Sequence, residues 1–117
     1  MTNQDLVAPE KLSTHHCVPC EGGVAPLTRA EFSVYLPQVS DWHVRKDDKE
    51  IEKEFIFNNF SEAIAFINHV ASIAEAEGHH PDIDLHDYKK VTIRLSTHAI
   101  GGLSVNDFVL AVKIDAI

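Results

Sequence analysis

His79 and His80 are adjacent and run directly into Pro81, at a point where two imidazoles can be given separate tasks. Histidine donates or accepts a proton near neutral pH, so two neighbouring imidazoles can be given two jobs. Glu75 stands four residues before His79 and, on a helix, shares its face. A carboxylate there fixes the imidazole's orientation and favours its protonated form. Gly78 suits a helix C-terminus, and Pro81 biases His80 toward an extended conformation. His80 is therefore expected to leave the helix axis in a different direction from His79. The third candidate is His98, which closes Ser96-Thr97-His98. A hairpin turning near residue 89 sets positions close to 80 and 98 opposite one another at its open end, and three histidines then surround one cleft. Gly101-Gly102 would keep that wall low enough for a flat ligand. The histidine pair also admits a purely structural reading, because imidazolium favours helix C-termini. His69 and His86 are expected at the surface.

The elements that must hold these residues follow from capping signals and apolar spacing. Residues 1–25 lack a sustained apolar period and are broken by Pro9, Pro19 and Gly22-Gly23, which predicts an N-terminal arm before a single domain over 26–117. Thr28 with Glu31 forms a capping box, and Leu27 with Phe32 a hydrophobic staple. The helix they open runs to about Leu36, where Pro37 ends it. Trp42 to Val44 and Ile51 to Phe57 read as strands joined by Lys46-Asp47-Asp48-Lys49, with Glu50, Glu52 and Glu54 on a wet face. Asn59, with Glu62 three residues later, opens the longest helix, in which Phe60, Ala63, Ile64, Ile67, Val70, Ala71 and Ala74 recur at helical spacing. Ile83 and Leu85, then Val91, Ile93 and Leu95, predict a hairpin with its tip near Tyr88-Lys89-Lys90. Ser104 with Asp107 resembles a cap for a last helix, whose apolar residues cover more than one face and leave one for a partner. The order is α-β-β-α-β-β-α. It predicts an α+β fold, a four-stranded antiparallel sheet with three helices on one face.

Charge and composition narrow the function. The 117 residues are 44% apolar with a formal charge of -8, and no basic patch for tracking phosphates is visible, so nucleic acid is not expected as a partner. No apolar run reaches the roughly 18 residues that span a bilayer, and the N-terminus lacks the basic and apolar regions of a signal peptide. A cytoplasmic protein with no membrane partner is expected. Two cysteines three apart do not make a secreted disulfide framework. His15-His16-Cys17-Val18-Pro19-Cys20 has a spacing compatible with zinc, yet no second Cys-x-x-Cys completes the ligand set. A metal site completed by a remote residue and a loosely docked arm both remain open.

Taken together, Glu75-x-x-x-His79-His80-Pro81, Tyr88, Leu95-Ser96-Thr97-His98 and Gly101-Gly102-Leu103-Ser104-x-x-Asp107-Phe108 resemble the signature of the pterin-4a-carbinolamine dehydratases. The similarity extends from about Pro26 to Asp115 and includes Trp42 and Phe57-Asn58-Asn59-Phe60. It implies dehydration of a 4a-hydroxytetrahydropterin to the quinonoid dihydropterin, without metal or cofactor, in recycling the cofactor of aromatic amino acid hydroxylases. It also implies an antiparallel four-stranded sheet with three helices, and a homodimer or homotetramer for which the last helix is the candidate interface. Position by position, His79, His80 and His98 become the catalytic trio; the chemistry of proton delivery and removal makes His80 the principal acid-base group with His79 and His98 binding and assisting, in roles that can be exchanged. Glu75, Gly78, Ser96 and Thr97 become substrate-binding positions, Ser96 and Thr97 lining the pterin pocket. The chain departs from many relatives at Gly78, often acidic or polar, and at Ala99-Ile100, often a more polar pair. Long-armed members carry a similar Cys-x-x-Cys before Gly-Gly and Pro-Leu-Thr. The alternative is a non-catalytic pterin-binding or dimerisation module, since some animal relatives also partner a homeodomain transcription factor. Intact Glu75, His79, His80 and His98 favour catalysis.

Overall fold

The computed structural model describes residues 2–3, 6, 9–18 and 23–117. The chain begins with β1 (Thr2–Asn3), a 3₁₀ segment (Pro9–Thr14), β2 (Val24–Ala25) and α1 (Arg29–Phe32). A second 3₁₀ segment (Leu36–Val39) precedes β3 (His43–Arg45), β4 (Glu50–Ile56) and α2 (Phe60–Glu77). β5 (Asp82–His86), β6 (Lys90–Leu95), a short 3₁₀ turn (His98–Ile100) and α3 (Val105–Asp115) complete it. The four long strands form one antiparallel sheet in the order β3-β4-β6-β5, so the α+β architecture is the one the spacing predicts. β1 and β2 pair in parallel as a separate small sheet.

Alternation sets which sheet face is buried. Ile51 pairs with Leu95, Phe55 with Val91 and Leu85 with Val91, which gathers these side chains on one face. Ala63, Phe66 and Val70 of α2 share a core with them. The other face carries polar ties such as Arg94 to Glu52. Phe108 of α3 lies at the centre of the core, fully buried, with its ring 5.7 Å from Phe32 and 5.4 Å from Tyr35. No helix among the described residues is long and apolar enough to cross a membrane.

Several expectations change in detail. The first helix stops at Phe32 rather than near Leu36, and Pro37 sits inside the second 3₁₀ segment, where the first turn requires no proline N–H. Glu50 was expected on a wet face. It is buried, and Arg45 and Lys46 reach its carboxylate, as a charge in that position requires. In α2, Phe60 and Ala71 turn outward while Phe66 joins the core, because the buried stripe drifts around an 18-residue helix. The arm is less loose than its composition implies. Leu12 is fully buried in the core, and its 3₁₀ segment packs on α3. The α3 face that the sequence leaves for a partner is thus covered by this chain, and every residue from Val105 to Ala111 is buried. Pro19, Cys20 and Gly22 lie outside the described residues.

Candidate active site

The site starts from the way α2 ends. Gly78 takes a left-handed conformation (φ 66°) that an L side chain rarely adopts, and the His79 N–H closes back on the Ala74 carbonyl at 3.2 Å. That reversal splits the two imidazoles. His79 turns inward, its Nε2 2.7 Å from Asp107 Oδ1, with the ring largely covered and the carboxylate fully buried. His80 turns outward, its Nε2 2.8 Å from Glu75 Oε1, with both side chains exposed. Glu75 therefore partners His80 and not His79. Helical spacing would have paired it with His79, but the left-handed turn at Gly78 removes residue 79 from the helix face before the register is completed.

Asp107 was readable as a cap, and its second task was not. Its Oδ2 accepts from the Ser104 N–H at 2.9 Å and from Thr97 Oγ1 at 2.8 Å, while Oδ1 faces His79. Thr97 Oγ1 also lies 2.7 Å from Ser104 Oγ. One carboxylate thus ties the N-terminus of α3, the end of β6 and the end of α2. As a carboxylate it only accepts, so the bond places a proton on His79 Nε2 and fixes the ring's tautomer and orientation.

β6 and its following turn supply the facing wall. Gly78, His79, His80, Ser96, Thr97, His98 and Ala99 line an open cavity of about 260 Å³. Thr97 N–H donates to the Gly102 carbonyl at 2.8 Å, and Gly101, left-handed at φ 69°, closes the turn that presents His98. All three histidines singled out from the sequence therefore border one cavity, with Gly78, Ser96 and Thr97 beside them and Glu75 attached through His80. Gly102 has a different reason from the flat-ligand one. A Cβ there would come 2.7 Å from Pro26 Cβ, so it is small to let the chain entering α1 pass. A larger groove of about 510 Å³ lies elsewhere, against Phe55, Phe66 and Ile114. It is mostly apolar and gathers no pair of imidazoles. His69 is exposed at its rim, and His86 is half-buried against Thr92 on the sheet.

The N-terminal segment reaches the back of the site. Glu77, the last residue of α2, accepts from the Cys17 N–H at 2.8 Å and from Lys113 Nζ at 3.0 Å, and lies 3.0 Å from His16 Nδ1. Burial works against its ionisation, but the Cys17, His16 and Lys113 bonds outweigh it and hold the carboxyl down at about 2, from an ordinary 4.5. Its stabilising contribution is therefore complete above the ordinary value and lost as pH falls from there to about 2, on the order of 3 kcal/mol. In urea unfolding, Glu77→Gln should be less stable than the parent by about that much at pH 6, and the gap should close by pH 2. A constant gap would remove the carboxylate from this role.

Cys17 is half-buried, its thiol 3.6 Å from the Asn106 carbonyl. Burial first, then the Glu77 and Asp107 carboxylates, push it up to about 12 from 9.0. Metal binding and alkylation both need the thiolate, and this environment withholds it. At pH 8 native Cys17 should alkylate at least about 10²-fold more slowly than in urea, read by mass spectrometry of its peptide. Equal rates would contradict the burial. Among the described residues, no three histidine, cysteine or acidic side chains converge as a metal site; Cys20 lies outside them.

Comparison with known proteins finds relatives in sequence and in fold. The family profile described as pterin 4 alpha carbinolamine dehydratase matches residues 25–117. A relative from Halorhodospira halophila, named "Putative pterin-4-alpha-carbinolamine dehydratase", is 47% identical over 106 residues, covering 91% of this chain and 96% of that protein. A Nitrosospira multiformis protein of the same name is 44% identical over 108 residues, covering 92% and 93%. Among solved structures, the transcriptional coactivator/pterin dehydratase from Brucella melitensis superposes with a TM-score of 0.72 at 31% identity, over 78% of this chain and 96% of that one. A pterin dehydratase-like RuBisCO assembly factor of the alpha-carboxysome shares the fold, with a TM-score of 0.56 at 23% identity over 65% of this chain and 87% of that one. With 93 consecutive residues matched and the histidine cavity inside them, this chain belongs to the pterin-4a-carbinolamine dehydratase family.

Proposed function

We propose that this protein dehydrates 4a-hydroxytetrahydropterins to quinonoid dihydropterins. The observation that carries the reading is a cavity lined by His79, His80 and His98, in which His79 and His80 are each oriented by a different carboxylate. The reaction breaks the C4a–O bond, protonates the departing hydroxyl to water and removes the N5 proton as the C4a=N5 double bond forms. One proton is delivered and one withdrawn, so an acid and a base in one pocket suffice.

His80 is the principal acid-base group in this proposal. Its bond to Glu75 uses Nε2 and leaves Nδ1 as the ring nitrogen able to address the pterin. Open to water, it can also exchange its proton between turnovers. His79, held by buried Asp107, and His98 across the cavity bind and assist. Gly78, Ser96 and the Thr97 backbone border the ring, whereas the Thr97 hydroxyl is committed to Asp107 and Ser104.

The test is a stopped-flow assay in which a pterin-dependent hydroxylase generates the carbinolamine and the quinonoid product is followed by absorbance. The purified protein should raise the rate above the spontaneous one in proportion to its concentration. Pterin binding with no acceleration would favour a binding module.

A further inference from the structure

We infer that residues 16–18 of the N-terminal arm act as a positioning clamp for His79. The inference rests on the dehydratase reading for its kinetic consequence, and on geometry for its existence. The end of α2 and the start of α3 are joined directly by His79 Nε2 to Asp107 Oδ1. They are joined a second time through the arm, at the residues next to that pair. Glu77, two positions before His79, holds the Cys17 N–H. Asn106, one position before Asp107, holds Val18 from both sides: its Oδ1 accepts from the Val18 N–H at 2.9 Å, and its Nδ2 donates to the Val18 carbonyl at 2.5 Å.

Three features make this more than incidental docking. The bonds grip main chain, so they fix the path of residues 17 and 18 whatever side chains stand there. They are sheltered, with Asn106 and the Glu77 carboxylate almost fully buried. They are also anchored upstream, because Leu12 is fully buried against α3, so the arm is held on both sides of His15. A hydrogen bond weakens steeply as its angle opens, and a shift of about 1 Å in a catalytic group can cost 10²-fold in rate. A brace across the two helix ends that carry His79 and Asp107 limits that shift. Sequence spacing gave no sign of it, since residues 16–18 are about 60 residues from Glu77 and about 90 from Asn106.

The test keeps the full chain and removes first one, then both, of the bonds between Val18 and Asn106. Val18→Pro deletes one N–H, and since the Val18 side chain is exposed, it takes no core packing with it. Asn106→Ala deletes both Val18 bonds. Release of the arm is read as faster alkylation of Cys17, dyad geometry as the downfield His79 Nε2–H proton resonance, and chemistry as kcat and KM for the carbinolamine. Both variants should free Cys17, broaden the His79 resonance and lower kcat by about tenfold with KM within about twofold. A freed Cys17 with an unchanged resonance and kcat would overturn the clamp, and so would a Cys17 as protected as in the parent. Should Asn106→Ala melt below the assay temperature, Val18→Pro decides. If the parent itself does not dehydrate carbinolamine, the proposed activity fails, and the His79 resonance still judges the clamp.

Discussion

His80→Ala is expected to slow carbinolamine dehydration by about 10²- to 10⁴-fold, the range a positioned acid-base group contributes. The protein should stay folded, because His80 and its partner Glu75 are exposed and an exposed pair contributes little to stability. Glu75→Gln should be milder. It keeps an acceptor for the ring but loses the charge, so about a tenfold loss is expected, with wild-type thermal stability. The pattern to check is a rate loss without a shift in the melting midpoint. A large loss of stability in His80→Ala would instead mark a structural residue, and an unchanged rate would remove His80 from the chemistry.

Asp107 should behave in the opposite way, coupling stability to rate. Asp107→Ala strips three partners at once, His79 Nε2, Thr97 Oγ1 and the Ser104 N–H, in a fully buried place. Leaving buried donors unpaired and losing a helix cap together should cost about 3 kcal/mol or more. Asp107→Asn separates the two roles. Its carboxamide oxygen can still serve Ser104 and Thr97, which should preserve much of the fold. Its NH₂ then faces His79 Nε2 and donates, which selects the other tautomer and moves the ring proton to Nδ1. A reversed tautomer is a severe defect where a carboxylate orients a working imidazole, so kcat should fall by about 10²-fold or more. Denaturant unfolding and steady-state kinetics on the two variants check this. Equal stability losses with unchanged kcat in Asp107→Asn would mean that Asp107 only caps α3.

Much of this was legible because the signals were local. The caps at Thr28 and Asn59, the apolar spacing in β4 and β6, and the β5-β6 hairpin are each read from a short stretch of sequence, and His80, Ser96 and His98 border one cavity beyond the hairpin's open end. Gly78 was read correctly as the stop of α2. The consequence of that stop was not legible, because the left-handed turn decides which ring Glu75 meets, and a helical wheel continues past it without notice. Asp107 was found for its cap alone: the capping pattern is short-range, whereas its bond to His79 spans 28 residues. The arm's docking was missed for a related reason. Leu12 stands alone among the polar residues 10–16 of a proline-broken stretch, and one side chain has no period to detect. Glu50 carries the same lesson, since alternation assigns a face but not the cover that Arg45 and Lys46 provide.

The most direct measurement of the central claim is single-turnover dehydration of 4a-hydroxytetrahydropterin by the parent and by the His79→Ala/His80→Ala double variant, with folding verified by circular dichroism. The parent should exceed the buffer rate by orders of magnitude. The double variant should retain no more than the modest acceleration that binding alone supplies. A folded double variant that matches the parent's rate would contradict the assignment of proton transfer to these two imidazoles.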